Sequence, residues 1–217
     1  MPSLFERFRP RTWDDVVAQD RAVRTCRAMV RMGTATGRAV LFVGPKGMGK
    51  TTLARLLATE VAEPWNVVEV DSQWCTPARI ASIEASACMY DLGTKTGRVY
   101  IVNEIHALSA ESVQQFLTTL ERIPSHCLWI FTTTRIGEAE LLDGCTDAGA
   151  FRGRCLTIAL SQRNVAEPVA AMIQRNMKSI EADGHDLSWY VNKVRENRND
   201  ARSTYEECEA IALGSAE

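Results

Sequence analysis

Apolar residues in this chain gather into five short runs and a series of helically spaced stripes. The first run, 39–43, is five residues long, the length of a buried strand. Runs at 66–71 (NVVEVD), 98–104 (RVYIVNE), 126–134 (HCLWIFTTT) and 155–160 repeat that signature. Helical stripes separate them. Ala22, Cys26, Met29 and Val30 share one face of a helix over 21–32, closed by Gly33. Leu53, Leu56 and Leu57 mark a second, which Pro64 stops. Ile80, Ile83 and Ala87 mark a third, opened by Thr76-Pro77 and running to about residue 90. Val113, Phe116, Leu117 and Leu120 mark a fourth, with Ser109 as its cap, Ser112 at the box position where Glu is usual, and Pro124 beyond its end. Residues 93–97 and 137–149 read as loops. After Ser161 the strands cease and helical segments are predicted over about 162–183, 186–197 and 199–213. Alternating strands and helices predict an α/β fold: a doubly wound parallel five-stranded sheet over 1–160, then a small all-helical domain over 161–217. Ahead of the first helix, Phe8-Arg9-Pro10 is predicted extended, because proline disfavours helix at the residue before it.

The turn after the first strand carries the strongest chemistry. Gly44-Pro45-Lys46-Gly47-Met48-Gly49-Lys50-Thr51 fits G-x-x-x-x-G-K-[ST], with a strand before it and a helix after it. Glycines let backbone N–H groups turn inward as an anion nest, and the new helix adds its unpaired N–H groups. Lys50 is predicted to reach the β and γ phosphates of a nucleotide, and Thr51 to offer its hydroxyl to Mg²⁺. Thr52 follows at the start of the same helix.

The third strand ends in Asn103-Glu104. In phosphate-loop ATPases such a strand ends in an acidic pair, the first acid holding Mg²⁺ through water and the second polarising the attacking water. Glu104 suits the general base. Asn103 departs from the pattern: an amide accepts a hydrogen bond from a metal-bound water but adds no charge, so weaker Mg²⁺ binding or slower hydrolysis is expected. The fourth strand ends at the same edge, where Thr133 or Thr134 is a candidate to sense the γ-phosphate or orient water. Arg152 and Arg154, at the start of the fifth strand, are candidates to serve a neighbouring subunit.

Composition changes this picture little. The 217 residues are 46% hydrophobic and 24% charged, ordinary for a soluble globular chain. No apolar run approaches a membrane span, no signal-peptide core opens the chain, and a cytoplasmic protein (or a nuclear one, if eukaryotic) with no membrane partner is expected. Seven cysteines without a C-x-x-C pair read as reduced thiols, and no zinc site is suggested. The net charge of −2 provides no global basic field for nucleic acid.

These motifs together resemble the AAA+ ATPases, and among them the clamp-loader family: the small subunits of replication factor C and the bacterial clamp-loader ATPase subunit. Residues 8–19, FRPRTWDDVVAQ, are similar to that family's Y-R-P-x-T-F-D-D-V-V-G-Q segment. The resemblance implies that this arm, with Phe8, Arg9, Pro10, Val16 and Val17, cradles adenine; Phe8 replaces Tyr and Ala18 replaces Gly, both mild changes. Asn103-Glu104-Ile105-His106-Ala107-Leu108 stands at D-E-A-H/D-x-L, and Thr133 or Thr134 at sensor 1. Gly153-Arg154-Cys155 stands at Ser-Arg-Cys, which makes Arg154 the candidate arginine finger in trans, with Arg152 second. Asn199-Asp200-Ala201-Arg202 resembles the G-D-x-R of sensor 2, making Arg202 a candidate cis contact to the γ-phosphate. The implied cofactors are ATP and Mg²⁺, and the implied partners a sliding clamp, primed or double-stranded DNA, and further subunits of a homo- or hetero-oligomer. Three departures stand out: Asn103, the missing zinc module of the bacterial subunit, and an end at 217, where typical clamp-loader subunits continue into a helical collar. Either the chain is a fragment or it is a compact relative that assembles differently. Two further readings share most of these residues: a nucleotide-binding switch or scaffold that hydrolyses little, and a related AAA+ DNA-remodelling ATPase.

Overall fold

The structure is a computed structural model, and it describes residues 3–87, 94–134, 147–182 and 184–214. The expected end of the third helix near residue 90, part of the 93–97 loop, most of the 137–149 loop and the thiols of Cys88 and Cys145 lie outside the described residues. The chain divides into two compact units. One comprises Arg21–Gly44 and Lys50–Leu160; the other comprises Met1–Asp20, Pro45–Gly49 and Ser161–Glu217.

The first unit is built on five strands: β1 (Arg38–Val43), β2 (Val67–Asp71), β3 (Arg98–Asn103), β4 (Cys127–Thr133) and β5 (Cys155–Ala159). All pair in parallel, in the order β2-β3-β4-β1-β5. Such a sheet needs cover on both faces, which explains why its inner strands β1, β3 and β4 are apolar runs and not alternations, while the edge strands β2 and β5 are only partly buried. Every residue of β4, the central strand, is buried. On one face Tyr100 stacks on Trp129 with centroids 4.6 Å apart. Phe116 meets Trp129 and Phe131 edge-on, at 5.5 and 5.4 Å. This face is covered by α4 (Pro77–Ala87), α5 (Ala110–Leu120) and α6 (Ala148–Gly153), through Ile80, Ile83, Val113, Phe116 and Phe151. Alternate strand residues, among them Val40, Phe42, Ile101 and Ile130, are equally buried. The helix α3 (Lys50–Val61) packs against β1, β3 and β4 and buries Leu53, Leu56 and Leu57. The helix α2 (Asp20–Arg31) buries Ala22, Val23, Cys26 and Met29.

The predicted cap of α5 is present and reaches further than expected. The Ser109 hydroxyl accepts from the Ser112 N–H at 3.2 Å. The Ser112 hydroxyl, in place of the usual carboxylate, donates to Cys75 O at 2.6 Å and ties α5 to the turn after β2.

The second unit carries α1 (Leu4–Arg7), a 3-10 turn at Trp13–Asp15, and the helices α7 (Ala166–Lys178), α8 (Leu187–Glu196) and α9 (Ala201–Ala212). The Asp15 carboxylate accepts from the Thr12 hydroxyl and backbone N–H at 2.8 and 2.9 Å. Those hydrogen bonds hold the Asp15 carboxyl below its usual pKa. The Gln19 amide exchanges two hydrogen bonds with the Ser161 backbone, so the end of the arm is pinned to the start of the helical segment. The arm has one unforeseen feature. Ala18, expected as a mild replacement for glycine, sits at φ 61°, in the left-handed region that penalises a Cβ. The change is therefore one of backbone strain as well as of side-chain size.

Candidate active site

Parallel strands place their carboxyl ends together, so the predicted residues of β1, β3 and β4 meet at one edge of the sheet. Lys50 opens α3 and is only 5% exposed. Its ammonium donates to Gly44 O at 2.9 Å, which holds a buried cation at the base of the loop. Next to it, the Thr51 hydroxyl donates to Asn103 Oδ1 at 3.3 Å. The same oxygen accepts from the Thr132 hydroxyl at 3.1 Å. Thr132 in turn accepts from the Glu104 N–H at 3.2 Å, while Ser72 Oγ donates to Glu104 O at 2.7 Å. Glu104 is thus anchored by its backbone from β4 and from the turn that follows β2. It also sits in the left-handed region, at φ 55°, and its carboxylate is 3.4 Å from His106 Nδ1. A non-glycine residue held there against its preference is a frequent mark of a functional position.

Among the threonines closing β4, Thr132 makes these contacts. Thr133 is fully buried, and its carbonyl accepts from the Gly44 N–H at 3.2 Å, joining β4 to the loop. Thr134 follows the end of the strand. Thr51 Oγ1 and Asn103 Oδ1 are oxygen ligands of the kind that hard cations such as Mg²⁺ take, while the Thr132 hydroxyl is already spent on Asn103 and the Glu104 N–H.

The tip of the loop belongs to the second unit. Gly47 and Gly49 have φ of 76° and 91°. A Cβ on Gly47 would fall 2.0 Å from Asp200 Oδ1, so only glycine fits there. Asp200 caps α9, accepting from the N–H groups of Arg202 and Ser203 at 2.9 and 3.3 Å, and lies 3.9 Å from the Lys46 ammonium. Arg202, in the first turn of α9, is exposed, and its guanidinium lies over the Phe5 ring at 4.9 Å. Arg9 lies over the same ring at 5.1 Å and pairs with Glu6. Phe8 stacks on Tyr205 with centroids 6.1 Å apart. The predicted adenine arm and the predicted sensor 2 helix are therefore one packed assembly. Val16 and Val17 are half-buried at the end of that arm, and Met48 is buried at the loop tip.

Arg154 follows α6 in the first unit. Its guanidinium donates to Ala150 O at 3.0 Å and pairs with Glu121, whose carboxyl the guanidinium holds below its usual pKa. Arg152 lies on α6 itself.

The profile of the family described as "ATPase family associated with various cellular activities (AAA)" matches residues 40–155, more than half of the chain. The chain belongs to this AAA ATPase family. DNA polymerase III subunit tau of Bacillus subtilis (strain 168) is 29% identical over 154 residues, which cover 61% of this chain and 27% of that protein. DNA polymerase III subunit gamma/tau of Mycoplasma pneumoniae is 27% identical over 192 residues, covering 77% of this chain and 27% of that one. The chain thus spans about a quarter of the length of these relatives. Among solved structures, the Thermotoga maritima RuvB Holliday junction branch migration motor shares the fold with a TM-score of 0.70 at 20% identity, covering 94% of this chain and 65% of that one. Among the described residues, no helix of this AAA protein is long and apolar enough to cross a membrane.

Three residues that touch the AAA site were not singled out from the sequence: Thr132, Ser72 and Glu69. Glu69 Oε1 accepts from Asn103 Nδ2 at 2.8 Å. Each stands within two residues of the end of its strand or just beyond it, so position at the polar edge was the available signal. Burial raises the thiols of Cys26, Cys75, Cys155 and Cys208 to between about 11 and about 12, which keeps them protonated at neutral pH.

Proposed function

We propose that this chain binds ATP with Mg²⁺ and hydrolyses it slowly, as a clamp-loader-like ATPase that remodels or loads a sliding clamp on DNA. The observation that carries the reading is the buried Lys50 at the loop base beside the Thr51–Asn103–Thr132 network, with Glu104 one residue further on. Lys50 would neutralise phosphate charge from beneath the loop. Thr51 and Asn103 would hold Mg²⁺, directly or through water; the ion would draw charge from the transferring phosphate. Glu104 would orient the attacking water and accept its proton, from a backbone fixed by Thr132 and Ser72. The arm around Phe8, Arg9, Pro10, Val16 and Val17 would receive adenine, and Arg202 would contact the γ-phosphate. Arg154 of a neighbouring subunit would stabilise the transition state. The clamp and the DNA rest on the likeness to DNA polymerase III subunits gamma and tau.

Hydrolysis in trans is tested with Arg154→Ala. The expected result is turnover lower by about a thousandfold at unchanged ATP affinity. Equal turnover in the variant would count against a shared site. One observation favours a second reading, a switch that binds nucleotide and hydrolyses little: the neutral Asn103 at the position of a metal-holding acid. Nucleotide binding without DNA-stimulated turnover would favour it.

A further inference from the structure

Asn103 has two unlike ends, and its neighbours settle which way they point. One end faces Glu69 of β2, the other faces Thr51 and Thr132. The hydroxyls of Thr51 and Thr132 can donate or accept, so they alone would tolerate either orientation of the amide. An ionised carboxylate can only accept. Both oxygens of Glu69 accept from Arg55 of α3, which donates from Nε to Oε2 at 2.7 Å and from Nη2 to Oε1 at 3.1 Å. The NH₂ end of Asn103 must therefore turn to Glu69, and its carbonyl oxygen must face Thr51.

We infer that Glu69 is a positioning residue for the metal side of the nucleotide site: it aims the Asn103 carbonyl at the position Mg²⁺ would take. The inference rests on the proposed ATP-Mg²⁺ reading. With the amide reversed, the NH₂ group would point its two hydrogens at a cation. A carboxylate at position 103 needs no such orientation, because its two oxygens are equivalent. The requirement for Glu69 thus belongs to this chain's asparagine, and Glu69 and Arg55 offset part of what the missing acid would supply.

The test is a double-mutant cycle of Glu69→Leu and Asn103→Asp, read as the affinity for a fluorescent ATP analogue across a Mg²⁺ titration. Glu69→Leu is expected to weaken the Mg²⁺-dependent part of binding about 10-fold when residue 103 is Asn, and to leave it unchanged or tighten it when it is Asp, whose carboxylate would face Glu69 where the Asn103 amide now donates at 2.8 Å. Glu69→Gln, which keeps the shape, is expected to fall between. In the nucleotide-free protein, the Asn103 side-chain amide protons are expected to exchange slowly by NMR in the wild type and rapidly in Glu69→Leu. An equal loss in both backgrounds would overturn the inference, since Glu69 would then act through general structure. Rapid amide exchange in the wild type would overturn it as well. A wild type whose amide is protected but which binds no nucleotide at any Mg²⁺ concentration would instead overturn the nucleotide reading, and with it the role of the aimed carbonyl.

Discussion

Lys50 and Arg202 are both cations aimed by sequence at a phosphate, yet the molecule holds them in opposite ways. Lys50 is buried at the start of α3 and donates to Gly44 O, just beyond the end of β1. Arg202 is exposed on the first turn of α9 and rests on the face of Phe5. The first arrangement is costly to disturb, because an interior packs at near-crystal density and buried polar groups must stay paired. The second is worth about 0.5–1 kcal/mol, the usual strength of an exposed cation–π contact. The cation with buried, fixed surroundings sits on the α/β unit, and the one with exposed, weakly held surroundings sits on the helical unit.

The largest effect expected from this contrast is at Lys50. Lys50→Ala should lower ATP affinity by about 100-fold, the scale for truncating one partner of a desolvated ionic contact, as read by titration with a labelled nucleotide. Wild-type affinity in that variant would remove the distinction. Arg202→Ala should reduce turnover about 10-fold, leave ATP affinity within a few-fold, and change stability by no more than about 1 kcal/mol. A large loss of thermal stability would mean that Arg202 is structural and that the two cations are alike.

A smaller effect concerns how the helical unit is held. Burial raises the Tyr205 hydroxyl to about 12, with Asn176 donating to its oxygen. The unfolded chain would ionise this group near pH 10, so its contribution to stability is intact below pH 10 and is lost as pH rises toward 12. Thermal unfolding between pH 9 and 12 should show that loss, reduced in Tyr205→Phe. The larger part of the alkaline decline should remain in that variant, because burial raises the thiols of Cys26 and Cys155 to about 12 and those of Cys75 and Cys208 to about 11, and their contributions are lost over the same range.

How much of this could be read from the sequence follows the range of the interactions. The phosphate loop was legible because its chemistry lies in eight consecutive residues, and β1, β3 and β4 because buried parallel strands are uninterrupted apolar runs; the edge strands β2 and β5 are only partly apolar and partly buried. The run Thr132-Thr133-Thr134 was not resolvable in the same way. Successive side chains on a strand face opposite sides, and only the register of β3 against β4 sends Thr132 to Asn103. Glu69 lies 34 residues from Asn103, and their contact exists because β2 pairs with β3. Ala18 and Glu104 show the same limit for the backbone: neither residue type announces a left-handed φ. The sites at Arg154 and Arg202 drew on resemblance more than on pattern, since an arginine after a helix or in its first turn has many uses.

Steady-state ATP hydrolysis by the wild type, Glu104→Gln and Asn103→Asp, with Mg²⁺ varied and primed DNA present or absent, tests the central claim most directly. The expected result is slow, Mg²⁺-dependent turnover in the wild type, a rise in Asn103→Asp at lower Mg²⁺, and loss of turnover with retained ATP binding in Glu104→Gln. Wild-type turnover that survives Glu104→Gln, or an Asn103→Asp variant no faster at any Mg²⁺ concentration, would contradict a catalytic site built on Glu104 and slowed by the asparagine beside it.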